Sequence, residues 1–159
     1  MKQEIRDQFR QAMRRMAATV SVITTCQEGE NFGMTASAVT SLSMDPPSLL
    51  VCVNKSAGFH DVITSTDHFC VNILRHGQED ISAVFGGKLP HSERFSTGSW
   101  SFDGTVPYLK ESQAAIFCRR AGIFEHGTHS IIVGEAVDLI IGHPVMPLIY
   151  SDGRYSTVA

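Results

Sequence analysis

The sequence predicts a mainly β chain, closed or nearly closed into a barrel and decorated with a few short helices. Three observations carry this. Short runs alternate apolar with polar or small residues, the period of a half-buried strand. Clusters holding glycine, asparagine, aspartate or proline separate those runs. The chain has 159 residues, one domain's worth and enough to bury a core without disulfides or metal.

Residues 4–17 carry Ile5, Phe9, Met13 and Met16 at helical spacing, which predicts an N-terminal helix packed on the core by that stripe, with membrane or partner binding as the alternative. From Thr19 the period changes, and a strand is expected through Thr25. Gln27-Glu28-Gly29-Glu30-Asn31 is a polar turn. A second strand is expected over 32–43 and ends at Asp45-Pro46-Pro47, because proline cannot continue a central ladder. A short buried strand over 48–53 and a helix over 57–66 follow. Next come a strand over 68–74 and a second short helix over 78–85. Residues 88–99 are polar, with Pro90 and nearby glycines, and read as a long loop of the kind that carries function. Strands over 113–124 and 130–141 flank Glu125-His126-Gly127-Thr128-His129, a hairpin connection. Asp152-Gly153 between Tyr150 and Tyr155 is a tight-turn signal. Many short strands with few helices favour a barrel.

Composition narrows the function. The formal net charge is −3, which argues against nucleic acid, since that partner selects a basic face. Cys26, Cys52, Cys70 and Cys118 lie in or beside apolar stretches and form no C-x-x-C. They read as reduced core thiols of a cytoplasmic protein. No apolar run approaches the roughly 18 residues of a membrane helix, and Met-Lys-Gln-Glu-Ile-Arg-Asp is too polar for a signal peptide. His126 and His129 are three apart. On one strand they would face opposite sides, and no H-E-x-x-H order is present, so no metal site is expected.

The segment richest in chemistry runs from Gly33 to Pro47, G-M-T-A-S-A-V-T-S-L-S-M-D-P-P. On one continuous strand Thr35, Ser37, Ser41 and Ser43 share a face, interrupted only by Val39. Such a face offers donors and acceptors without charge, and its small side chains let a flat ligand approach the backbone. It equally suits a sheet face that meets water.

The run T-A-S-A-V-T-S-L-S-M-D-P-P, followed by S-L-L-V-C-V-N-K-S, closely resembles the signature of the short-chain NAD(P)H:flavin oxidoreductases. These are the reductase components of two-component flavin monooxygenases, built on the FMN-binding split barrel. H-G-T-H-S-I-I-V-G-E-A-V resembles that family's G-D-H segment, and P-L-I-Y-S-D-G-R-Y resembles its closing segment. The three motifs stand in the family's order from about residue 9 to the C-terminus.

The resemblance implies a site residue by residue. Thr35, Ala36 and Ser37 would lie along the flavin ring. Ser41, Leu42 and Ser43 would contact its edge, ribityl chain and phosphate. Asn54, Lys55 and Ser56 would hold phosphate at the mouth of a helix beginning near Ala57. Phe85 would lie against the flavin, with a core phenylalanine as the alternative, and Arg94-Phe95 resembles the family's basic-aromatic pair, with Arg94 toward phosphate or else solvated. His129 would orient the nicotinamide next to the hydride, although Thr128 stands where the family has aspartate. Tyr150, Arg154 and Tyr155 would seat the nicotinamide nucleotide.

The implied cofactors are FMN or FAD with NADH or NADPH. No G-x-G-x-x-G is present, so the nicotinamide is expected in a cleft shared with the flavin. The resemblance also implies a homodimer that passes reduced flavin to a separate monooxygenase. The alternative is a non-catalytic flavin-binding protein, for storage or sensing, on the same barrel. Such a binder needs neither His129 nor the Tyr-Ser-Asp-Gly-Arg-Tyr segment. A haem on a related barrel would want an axial histidine, and no local sequence singles one out.

Overall fold

The computed structural model describes residues 1–158. Helix α1 (Lys2–Met13) leads into β1 (Ala18–Thr19), β2 (Ser21–Gln27), β3 (Glu30–Ala36), β4 (Val39–Met44) and β5 (Pro47–Asn54). Helix α2 (His60–Ser65), strand β6 (His68–Ile73), and helices α3 (Glu79–Phe85) and α4 (His91–Arg94) follow. The chain closes with β7 (Trp100–Ser101), β8 (Tyr108–Leu109), β9 (Ala114–His126), β10 (His129–Ile141), β11 (Ile149–Ser151) and β12 (Arg154–Ser156).

The main sheet is antiparallel with seven strands in the order β3-β2-β6-β9-β10-β5-β4. Its two edge strands, β3 and β4, are joined by Ser37 and Ala38 alone. Three Cα–Cα steps reach at most about 11 Å. A flat sheet of this order would hold its edges several strands apart, about 4.8 Å per strand. The sheet must therefore curl until its edges meet, and Ser37-Ala38 is the seam of the barrel. At the seam, the Cys52 N–H donates to the Ala38 carbonyl at 3.0 Å.

The alternation of β2 explains why this strand is buried along most of its length. Ile23 points into the barrel, where Val51, Val53, Phe59, Ile63, Phe69, Val71 and Ile132 fill the interior. Val22 points outward into a second cluster with Leu74, Ile81, Phe85, Trp100, Leu109 and Leu148. Gly33 makes that second cluster possible: a Cβ there would stand 2.6 Å from the Phe85 ring. Cys70 and Cys118 are buried and all four cysteines are free thiols; burial pushes the Cys118 thiol up to about 12 and raises Cys70 further.

Four expectations need correction. The strand expected over 32–43 is broken at the seam, so Thr35 and Ser37 do not share one continuous face with Ser41 and Ser43. A register shift between Ser41 and Ser43 disturbs β4 further. The stripe of α1 does not pack on the core: Ile5 and Phe9 are 61% and 63% exposed. The helix expected from Ala57 begins at His60 and has six residues. Residues 88–99 are not wholly irregular, since α4 lies within them. Among the described residues no helix is long and apolar enough to cross a membrane.

Candidate functional site

Strand register gathers several of the named residues at one end of the barrel. His129 opens β10 directly opposite Asn54, the last residue of β5. The Asn54 Oδ1 accepts from the Ser56 N–H and the Ser56 hydroxyl, each at 2.9 Å, and so shapes the loop after β5. The Lys55 N–H donates to the Thr128 carbonyl at 2.9 Å. Lys55 Nζ lies 3.6 Å from Glu125 Oε2. Loop 54–56 and hairpin tip 125–129 are thus one connected corner. The Cys52–Ala38 hydrogen bond puts the seam three residues from Lys55, about 10 Å along β5.

At the tip, Gly127-Thr128 forms a two-residue turn, with Gly127 at φ +55°. Glycine adopts this left-handed conformation without a Cβ clash, which a tight hairpin needs. The turn sets His126 and His129 opposite each other in register. Cross-strand partners share a face, so the argument that these histidines point apart does not hold. Among the described residues no three His, Cys, Asp or Glu side chains gather as metal ligands.

A cleft of about 290 Å³ brings Thr35 and Ser37 together with Ser82, Tyr150 and Tyr155. The Thr35 hydroxyl donates to the Ser82 carbonyl at 2.7 Å, and Ser82 Oγ lies 2.9 Å from Tyr155 Oη. Tyr150 and Tyr155 meet edge to face across β11–β12. Asp152 and Gly153, both at positive φ, make the turn between those strands, and Arg154 is exposed beside it. Ser82 was not singled out from sequence. It lies on the α3 face that meets β3, and nothing local marks it.

Ser41 and Ser43 line a different space, a groove of about 650 Å³ walled by Leu49, Leu139, Ile141 and Val145. Ser41 pairs with Leu49, five residues along β5 from Asn54, about 17 Å away. Leu42 is exposed and Ala36 is buried, so Ala36 has mainly backbone to offer a ligand.

Two residues have work other than the role the resemblance implied. Arg94 is buried and donates to four carbonyls: Gly33 at 2.8 Å, Phe85 at 3.0 Å, Gly87 at 3.1 Å and Leu89 at 2.9 Å. A guanidinium has five N–H donors, so little remains for a phosphate. Arg94 is the clamp that holds the 86–95 segment on β3. Phe85 is fully buried between Phe95 and Trp100, with ring centroids at 5.2 and 5.0 Å, and presents no surface to a ligand. Phe95 is half-buried in the same aromatic cluster. His91 stands beside the clamp, its Nδ1 2.9 Å from the Gly33 carbonyl. Burial, and next the charge of Arg94, hold its imidazole below the usual value, while the carbonyl pulls the other way.

Residues 13–159 match the family described as "Flavin reductase like domain". The chain belongs to this flavin reductase family. It is 43% identical over 150 residues to the reductase component of an FADH(2)-dependent resorcinol hydroxylase from Rhizobium sp. (strain MTP-10005), covering 92% of this chain and 84% of that one. It is 41% identical over 152 residues to FMN reductase (NADH) RutF of Variovorax paradoxus (strain S110), covering 95% and 84%. Among solved structures, Streptomyces globisporus C-1027 NADH:FAD oxidoreductase SgcE6, in complex with NAD and FAD fragments, superposes with a TM-score of 0.88 at 30% identity, covering 97% of this chain and 93% of that one. Nitrilotriacetate monooxygenase component B from Mycobacterium thermoresistibile superposes at 0.92 with 28% identity, covering 100% and 89%. The curled seven-stranded sheet with its seam is thus the split barrel of the flavin reductases.

Proposed function

We propose that this flavin reductase takes hydride from NADH or NADPH onto FMN or FAD and passes the reduced flavin to a separate monooxygenase. Its relatives carry reductase names, and none of those described above is a storage or sensor protein. One observation in the fold supports the reading most directly. Seam, phosphate loop and hairpin tip lie within about 10 Å of one another along β5. That span suits a flat ring at Ser37-Ala38 joined by a five-carbon chain to a phosphate at Lys55.

The residues fit such a ligand. Ser37 and Ala38 are small and exposed, so a ring can approach the backbone there. Lys55 brings a full charge and Asn54 an amide nitrogen, while the Ser56 hydroxyl, which donates to Asn54 Oδ1, holds that amide in place. A six-residue helix contributes little dipole beyond this, so Lys55 is the main phosphate contact. Flavin, when bound, accepts the hydride and carries the redox chemistry. The chain's own task is to hold the reacting groups at about 3–3.5 Å and keep them aligned. His129 orients the nicotinamide, and Tyr150, Tyr155 and Arg154 hold the rest of that nucleotide along the Thr35–Ser37–Ser82 cleft. Ser41 and Ser43 meet the flavin only where it extends past the seam toward the large groove.

We infer also that the chain works as a homodimer, which would cover the exposed Ile5 and Phe9 of α1, Met16 just after it, and the apolar mouth at Leu139 and Ile141. A reaction that consumes NAD(P)H, in a protein with four free thiols, fits the cytoplasm. The deciding experiment follows NADH and NADPH oxidation at catalytic protein concentration, with and without FMN, FAD or riboflavin. Flavin-dependent oxidation is expected. Flavin binding without oxidation would overturn the reading.

A further inference from the structure

The corner that holds Lys55 also holds a carboxylate that no catalytic role uses. Glu125 sits at the end of β9, with its Oε2 3.6 Å from Lys55 Nζ. The pair is not an accident of two free side chains. The Lys55 backbone is fixed to the hairpin by its N–H bond to the Thr128 carbonyl, and Asn54 is locked in register with His129. Both side chains remain reachable by solvent, 37% exposed for Lys55 and 69% for Glu125.

We propose that Glu125 is a specificity-determining residue that competes with the flavin phosphate for Lys55. This rests on the reading of Lys55 as the phosphate contact. A phosphate arriving at Nζ meets an ammonium whose charge is already shared with a carboxylate 3.6 Å away. An exposed ion pair of this kind is weak and is screened by salt. The competition therefore lowers phosphate affinity without abolishing it. The two states are an ammonium shared with Glu125 and an ammonium shared with the ligand. Only ligands that carry a phosphate feel the difference: riboflavin, with the same ring and sugar chain, does not meet Nζ. Glu125 thereby narrows the preference for FMN over riboflavin and lets a phosphorylated flavin leave more readily.

The test titrates wild type, Glu125→Gln, Lys55→Gln and the double variant with FMN and with riboflavin, by flavin fluorescence quenching at low salt. Glu125→Gln is expected to tighten FMN by about two- to fivefold, the range of an exposed ion pair, and to leave riboflavin unchanged. The gain should vanish in the Lys55→Gln background and shrink at high salt. If Lys55→Gln weakens FMN selectively while Glu125→Gln changes nothing, or tightens both ligands alike, the proposal for Glu125 is overturned and the phosphate contact stands. If Lys55→Gln leaves FMN binding as it was, the phosphate contact falls and Glu125 falls with it.

Discussion

His129 Nδ1 lies 2.9 Å from Thr128 Oγ1, so the residue that stands where the resemblance implies an aspartate still meets the imidazole. A hydroxyl can donate or accept, whereas a carboxylate only accepts. Thr128 therefore orients the ring without adding negative charge. If His129 positions the nicotinamide, His129→Ala should lower kcat/KM for NADH about 10- to 100-fold, as misplacement of reacting groups does. Flavin affinity should stay near wild type. Thr128→Val, which keeps the shape and removes the hydroxyl, should fall between the two. Stopped-flow flavin reduction at varied NADH, with flavin titration alongside, measures both quantities; turnover unchanged in His129→Ala would remove the role.

Arg94 should behave as a structural residue. Its guanidinium meets carbonyls from Gly33, Phe85, Gly87 and Leu89, and truncation leaves several of them without a partner. Each such group costs about 1–3 kcal/mol, so Arg94→Ala should lose about 3 kcal/mol or more in urea denaturation. The ratio of FMN to riboflavin affinity should not move. A selective loss of FMN binding in a variant that stays folded would restore a phosphate role.

Gly33 and Phe85 should be coupled. A methyl at Gly33 would stand 2.6 and 2.8 Å from two atoms of the Phe85 ring. Overpacking of this kind costs about 1–3 kcal/mol. Gly33→Ala should therefore be destabilised, and the further cost of adding it to Phe85→Leu should be smaller than its cost alone. Strict additivity in this cycle would show that the ring does not feel the methyl.

Stability should fall on mild acidification because of His91. Burial and the neighbouring Arg94 charge keep its imidazole below the ordinary value of 6.5. The unfolded chain then takes up a proton that the folded chain refuses. The favourable contribution is complete above the unfolded value and is lost as pH falls through the folded one. Urea midpoints measured from neutral pH down to about 5 should drop more steeply for wild type than for His91→Phe. The phenyl ring keeps contact with Phe32 and Phe59, whose centroids lie 5.4 and 6.2 Å from that of His91. Parallel slopes would assign the acid sensitivity to other groups.

Much of the fold was legible because its signals are local. Alternation located β2, β5, β6, β9 and β10 to within a few residues, Gly127 marked the β9–β10 turn, and Asp152-Gly153 marked the turn between β11 and β12. The seam was not legible. Ser37-Ala38 sits inside an alternation interrupted only at Val39, and only the distant pairing of Ala38 with Cys52 shows that the strand has ended. The clamp made by Arg94 was not legible either, although three of its four carbonyl partners, Phe85, Gly87 and Leu89, lie within nine residues of it. A charged residue in a polar loop looks solvated from its neighbours in sequence, and only the fold turns those carbonyls toward it. His126 and His129 were misjudged by treating a two-residue turn as continuous strand. Exposure of Ile5 and Phe9 was hidden because helical spacing reveals a stripe and not what covers it.

The seam has a consequence for synthesis of the chain. Both hairpins that it joins, β2–β3 and β4–β5, are complete by Asn54. The strands that must lie between them, β6, β9 and β10, come from His68 to Ile141. A nascent chain at the ribosome can thus form the two ends of the sheet early, but it cannot close the ring until nearly nine-tenths of the protein has emerged. Through that interval Val51, Val53 and Ile23 have no completed interior to enter. Such sustained exposure during elongation invites chaperone capture, and slow translation before Ile141 is when it lasts longest.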